Sequence, residues 1–292
     1  MELGVTAPER RGRSTLADGR SLGWSEWGAP DGVPVLLCPG AATSGRLGFG
    51  THLLAELGVR LVAVDRPGLG ASSPRPGRSL ADFADDVREL RSLRDLNGTA
   101  VVGNSQGAPF ALACAASGAA DALALVSAAD EVAAPVFADV LPPGPRDMVA
   151  LAASAPDRAE ALFAEFDPAA MEEMVLAGSA ESDREVYEAP MFADAYRSAM
   201  TEAFVQGGAG YARDTVLAMS PWNLDLSAIT VPVDVWYGEQ DASHSPDLGA
   251  TLTERVPGAV RHVVPGIGGA VLWTHAESIL RTLLERRAAS RG

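Results

Sequence analysis

An α/β architecture, a mainly parallel central sheet flanked by helices and carrying a helical insertion, is predicted by three observations. Short apolar runs bounded by turn residues alternate with amphipathic stretches along most of the chain. A Gly-x-Ser-x-Gly turn stands between a strand pattern and a helix pattern at residues 99–116. A block over 131–220 lacks strand-like runs and interrupts an alternation that resumes at Val231. The 292 residues can bury a large core, so the reading is a core domain in two parts, 1–130 and 221–292, with the block inserted between them.

Ser21 to Trp27 reads as an early strand closed by Gly28-Ala29-Pro30-Asp31-Gly32. Val33 to Cys38, Arg60 to Val64, Ala100 to Val102, Ala122 to Val126, Val231 to Tyr237 and Val260 to Val264 are the further strand candidates. Leu80, Phe83, Val87, Leu90 and Leu93 recur at helical spacing, and Ser79 with Asp82 makes a capping-box start. Ile279, Leu280, Leu283 and Leu284 give the last helix a similar stripe. The inserted block is rich in Ala, Glu, Met and Phe. Pro135, Pro142, Pro143, Pro145, Pro156, Pro168 and Pro190 divide it into short helices. It is expected over the C-terminal edge of the sheet, where open α/β sheets bind ligands. Phe163, Phe166, Met171, Met174, Tyr187, Met191, Phe192, Tyr196 and Met200 are divided between an apolar pocket wall and the block's own core.

Composition narrows the function. Hydrophobic residues make up 47% and charged residues 21%, the balance of a globular protein. A formal charge of −15 disfavours nucleic acid and anionic membranes as partners, since both need clustered positive charge. All 23 basic residues are arginine, which excludes Schiff-base chemistry, a lysine-anchored pyridoxal phosphate and a P-loop lysine. Cys38 and Cys114 fit no metal spacing and are expected as buried thiols. No signal-like or membrane-length apolar stretch occurs, so a cytoplasmic protein is expected, with no cofactor, no metal and a small-molecule substrate as its partner. The oligomeric state is not legible.

The turn at Gly103-Asn104-Ser105-Gln106-Gly107 carries the chemistry. Glycines at 103 and 107 permit a tight strand-to-helix reversal. Ser105 is thereby held on a strained backbone with its hydroxyl above the sheet edge, and the Gln106 N–H at the helix start faces an incoming oxyanion.

The order of motifs resembles the α/β-hydrolase superfamily, specifically the proline-iminopeptidase-like and esterase-like bacterial hydrolases with a helical lid. The resemblance rests on Trp27-Gly28-x-Pro30-Asp31-Gly32, the strand ending in Pro39-Gly40, Asp65-Arg66-Pro67-Gly68-Leu69-Gly70-Ala71-Ser72, the turn at Ser105, and Trp236-Tyr237-Gly238-Glu239-Gln240-Asp241. It implies an α/β-hydrolase fold, Ser105 as nucleophile, Asp241 as the triad acid, and Ala41 or Ala42 as the second oxyanion donor. Asp130, after the strand ending at Val126, stands where some members place the acid and is the reserve candidate. Asp65 and Arg66 are expected as a structural turn near the site. Asn104 departs from the histidine that many relatives carry inside the turn.

The larger departure is near the C-terminus. The resemblance places Gly269, or Ala270, where the family histidine stands, and neither accepts a proton. Loss of the base costs about 10⁶-fold in turnover in the subtilisin precedent, roughly 8 kcal/mol. Three readings follow. In one, another group is the base of a hydrolase acting on small acyl, ester or amide substrates. His244, three residues beyond Asp241, is the best substitute, ahead of His52, His262 and His275. In the second, the scaffold performs a lyase, cyclase or isomerase step; in the third, it binds a small molecule without turnover. A histidine placed at 269 is the direct test of whether the rest of a hydrolase site is intact.

Overall fold

Strands buried on both faces need no polar alternation, and four apolar runs of this chain lie side by side for that reason. In the computed structural model, which describes residues 3–290, β3 (Val33–Cys38), β4 (Val59–Val64), β5 (Ala100–Asn104) and β6 (Ala122–Val126) are buried almost throughout. With β1 (Arg10–Thr15), β2 (Ser21–Trp27), β7 (Val233–Gly238) and β8 (Val260–Val264) they form an eight-stranded sheet in the order β1-β2-β4-β3-β5-β6-β7-β8. β1 and β2 pair antiparallel and β2 meets β4 antiparallel; every later pairing is parallel. The α/β-hydrolase architecture expected from the sequence is the one observed.

β1 leaves no mark in the apolar pattern of the sequence. Its residues Arg10-Arg11-Gly12-Arg13-Ser14-Thr15 contain no apolar side chain, because an edge strand half open to water needs none. The strand expected from Val231 starts at Val233, just past Pro232, which has no N–H to give to a ladder.

Helices cover both faces. A one-turn α1 (Leu54–Leu57) leads into β4, and α2 (Leu80–Leu93) starts with the expected capping box, Ser79 and Asp82 each satisfying the other's backbone N–H. α3 (Ala108–Ala116) follows the Ser105 turn with residues 108–115 all buried, and its Phe110 meets Phe83 of α2 edge-on at 5.2 Å. Between β6 and β7 the chain forms six helices and no strand: α4 (Pro143–Ser154), α5 (Pro156–Phe163), α6 (Pro168–Gly178), α7 (Glu181–Tyr187), α8 (Pro190–Ala203) and α9 (Ala209–Met219). Four of the six open with proline at the first helical position, where the missing N–H costs nothing. α10 (Ala250–Arg255), α11 (Val271–Thr274) and α12 (Ala276–Ala289) complete the chain. Cys38 and Cys114 are buried free thiols. No helix among the described residues is long and apolar enough to cross a membrane.

The parallel register determines where chemistry can gather. Cys38 pairs with Gly103, Asn104 with Val126, Val126 with Trp236 and Gly238 with Val264, so the C-terminal ends of β3, β5, β6, β7 and β8 line one edge. The loops leaving those ends carry residues 39–45, 105–107, 127–131, 239–249 and 265–270, and the six-helix block lies over them.

Candidate active site

Ser105 has φ 50°, a left-handed value that a non-glycine residue adopts only under constraint. The constraint is packing on both sides of the turn. A Cβ at Gly103 would stand 2.7 Å from Ala111 Cβ, and one at Gly107 would stand 2.0 Å from the Cys38 carbonyl oxygen. Neither position admits a side chain, so β5 runs directly into the helix and Ser105 is turned toward the cavity.

The imidazole facing that serine comes from the loop after β7. His244 Nε2 lies 3.0 Å from Ser105 Oγ, and His244 Nδ1 lies 2.9 and 3.0 Å from the two Asp241 carboxylate oxygens. Asp241 also accepts from the Ser243 and His244 backbone N–H groups at 3.1 and 3.3 Å, so one carboxylate folds the loop and orients the ring it carries. Asp241 is 6% exposed and the His244 side chain 19%. Burial opposes charge on both, yet their mutual attraction prevails. The Asp241 carboxyl is held below the usual carboxylate range, and the His244 pKa is raised above 6.5 by Asp241 and, more weakly, by Asp183.

Gly269 acquires a meaning opposite to a vacancy. A Cβ there would stand 2.7 Å from His244 Cε1 and 3.7 Å from Asp241 Oδ2. The glycine is the space the imidazole occupies, and a histidine at 269 would collide with the one at 244. The expectation that such a replacement probes an otherwise complete site is therefore corrected by the geometry. Ala270 is fully buried and its N–H is taken by Asp183.

Asp130 is buried beside the site, and its carboxylate accepts from Ser245 Oγ at 2.8 Å and from the Glu131 N–H. Its own N–H donates to the His244 carbonyl at 3.0 Å. It thus braces the His244 loop from both sides, and Asp241, not Asp130, takes the imidazole. Burial pushes its carboxyl pKa up.

The loop after β3 supplies the opposite wall. A Cβ at Gly40 would stand 3.4 Å from Asn104 Oδ1 and 3.5 Å from Ser105 Cβ, and Asn104 Nδ2 donates to the Val126 carbonyl at 3.2 Å. Arg66, wholly buried, donates to the Pro39 carbonyl and, at 2.9 Å, to the Gly40 carbonyl. Its Nε meets Asp214 of α9 at 2.6 Å, Arg78 pairs with the same carboxylate, and Phe110 stacks under the guanidinium at 4.9 Å. Every described peptide bond is trans, so an Arg66 hold on the Gly40 C=O turns the Ala41 N–H to the other side. That N–H meets no acceptor among the described residues, and Ala41 lines the cavity. Ala42 is buried at φ 47° and does not line it. The Gln106 side chain donates to Thr215 Oγ1 at 3.0 Å, which anchors the first turn of the helix to α9.

Of the remaining histidines, His262 pairs with Asp234 at 2.8 Å and stacks on Trp236, and His275 stands at the N-cap position of α12 with its Nδ1 2.9 Å from Thr274 Oγ1. His52 lies in a 3₁₀ turn at Thr51–Leu53, and none of the three lines the cavity.

The cavity measures about 1110 Å³. From the block it takes Phe163, Met171, Met174, Tyr187 and Tyr196, whereas Phe166, Met191, Phe192 and Met200 do not line it. No arginine is among its lining residues; the charged ones are Asp130, Asp147, Asp183 and Asp241, with His244 the one imidazole. Nothing in the sequence singles out Asp183. It is one of many acids in the block, and no local pattern marks it as facing the Gly268-Gly269 loop.

A family model described as "Alpha/beta hydrolase family" matches residues 35–279. A non-heme chloroperoxidase of Streptomyces lividans is 34% identical over 103 residues, a stretch covering 33% of this chain and 36% of that protein. The chain thus aligns with about a third of that relative's length. Among solved structures, a bromoperoxidase from Bacillus anthracis superposes with a TM-score of 0.72 at 19% identity, over 95% of this chain and 99% of that one. A thermophilic esterase from Thermogutta terrifontis superposes at 0.69 and 20% identity, over 97% of this chain and 100% of the other. At those identities the likeness is one of fold.

Proposed function

Since the chain belongs to the alpha/beta hydrolase family, we propose that it is a serine hydrolase of uncharged acyl compounds. Ser105 is the nucleophile, His244 the base and Asp241 the acid. The observation that carries this reading is the imidazole bridging Ser105 Oγ at 3.0 Å and the Asp241 carboxylate at 2.9 Å.

His244 Nε2 takes the Ser105 proton as Oγ attacks the substrate carbonyl, and Asp241 holds the Nδ1–H tautomer and stabilises the imidazolium. The Ala41 and Gln106 N–H groups receive the charge that develops on the carbonyl oxygen, and Arg66 keeps the Ala41 amide aimed there. When the tetrahedral adduct collapses, the imidazolium protonates the departing alcohol or amine. Water, deprotonated by the same His244, then releases the acid from Ser105. The block over 131–220 acts as the cap that closes the cavity.

The lyase-type and silent-binding readings are motivated by a serine without a proton acceptor, and His244 at 3.0 Å favours the hydrolytic reading over them. Substrate charge follows from the walls. A carboxylate ligand would meet acidic side chains and no arginine, while a neutral acyl group loses little on leaving water.

The test is hydrolysis of p-nitrophenyl esters together with fluorophosphonate labelling. Ser105→Ala and His244→Ala are each expected to lower kcat by about 10⁴- to 10⁶-fold, and Ser105→Ala to abolish labelling. A His244→Ala protein that keeps its turnover would end the assignment.

A further inference from the structure

The loop over 265–270 is where the resemblance would place a histidine and this sequence has Gly269, and the structure shows what holds it. Asp183, on α7 and 2% exposed, accepts from three consecutive backbone amides: Gly268 N–H at 3.1 Å, Gly269 N–H at 2.8 Å and Ala270 N–H at 3.0 Å. A longer contact from the Ala180 N–H at 3.3 Å, within its own helix start, brings the carboxylate to the roughly four donors it can accept. Bonds from amides to a buried carboxylate are charge-assisted and roughly twice as strong as neutral ones.

The two glycines divide the work. A Cβ at Gly268 would stand 2.2 Å from Asp183 Oδ2, so only glycine lets the carboxylate in; a Cβ at Gly269 would stand 2.7 Å from the His244 ring, so only glycine lets the imidazole in. The loop is therefore a thin wall with Asp183 on one side and His244 on the other.

We infer that Asp183 is a positioning residue for the triad, its carboxylate clamping residues 268–270 from the helical block so that they form the wall against which the His244 imidazole is held in line with Ser105. The inference rests on the reading of His244 as the base. It makes α7 a fixed part of the catalytic scaffold, since any motion that withdraws Asp183 leaves three amides without acceptors and the ring without its backing. The charged groups facing His244 are Asp241 from its own loop and Asp183 from α7; Asp130, after β6, directs its carboxylate to Ser245. Removing the Asp183 charge thus favours the neutral imidazole, and the acid limb of activity moves to lower pH.

The experiment measures kcat and KM for a small neutral p-nitrophenyl ester between about pH 5 and 9, with thermal melting as the folding control, on Asp183→Asn, Gly268→Ala, the double variant and His244→Ala. Asp183→Asn is expected to lower kcat by ~10- to 100-fold, as misplacement of a catalytic group by about 1 Å does, with KM changed less than about 2-fold and the acid limb shifted down. Gly268→Ala, which pushes the carboxylate from the other side, is expected to reproduce the loss in kcat, and the double variant to fall no further than either single one. Should Asp183→Asn fail to fold, Gly268→Ala carries the test. Folded variants with kcat and acid limb unchanged, beside an inactive His244→Ala, would overturn the clamp alone. An active His244→Ala would overturn the triad assignment and the clamp with it.

Discussion

A methyl group at position 269 would lie 2.7 Å from His244 Cε1, closer than any real contact allows, and the ring is the part free to move. Gly269→Ala is accordingly expected to fold normally and to lose ~10-fold or more in kcat, with KM little changed; steady-state kinetics and a melting curve separate the two effects. Gly269→His is expected to lower activity further, not to raise it, because its imidazole competes for filled space. On the proposed mechanism, His244 also sets the pH response. With the His244 pKa raised above 6.5, the neutral base is lost as pH falls through that raised value, so kcat/KM should show an acid limb whose midpoint lies above 6.5. Stability runs the other way. The stabilisation that the charged imidazolium draws from Asp241 is fully present below pH 6.5 and is lost as pH rises through the raised value, which chemical denaturation at several pH values would register.

Between elements, the site depends on charges held in the helical block. Arg66 reaches the Pro39 and Gly40 carbonyls from the loop after β4, but it is fastened there by Asp214 of α9, which also pairs with Arg78. Arg66→Met gives up the guanidinium over Phe110 but leaves Asp214 paired with Arg78, so no buried carboxylate is stranded. What is lost is the grip on the Gly40–Ala41 peptide. Removing an oxyanion donor outright costs about 10²- to 10³-fold, and loosening one should cost at least ~10-fold in kcat. Binding of a boronic acid that forms a tetrahedral serine adduct should weaken in parallel while substrate KM holds. Equal losses in KM and Tm with no loss in boronate affinity would assign Arg66 a purely structural part. The Asp65-Arg66 stretch was legible as a turn near the site. Its hold on the loop after β3 was not, because Arg66 and Asp214 are 148 residues apart in the chain.

For the molecule as a whole, the cavity of about 1110 Å³ lies at the upper end of small-molecule sites, and its walls mix methionine and aromatic side chains with acids and no arginine. Neutral medium-chain esters are therefore expected to be turned over at least ~10-fold more efficiently than esters of the same length ending in a carboxylate. A comparison of kcat/KM for such matched pairs decides it, and equal efficiency would count against the electrostatic account of the walls. The formal charge of −15 acts in the same direction at longer range and should make the discrimination weaker as salt is added.

The architecture and the serine turn were readable from the chain alone because they are local or periodic. Buried parallel strands are continuous apolar runs, and the strand-turn-helix around Ser105 needs glycines within two residues on either side. Asp241 and the candidate oxyanion amides came from motif order, which is again a property of sequence. Which imidazole faces the serine is of another kind: His244 and Ser105 are 139 residues apart, and the sequence marks His244 only as the best of four histidines, by its closeness to Asp241. Only the parallel register that brings the ends of β5, β7 and β8 to one edge decides that contact. It also explains why glycine stands at 269: the side chain that fills the space there is carried by a different strand's loop.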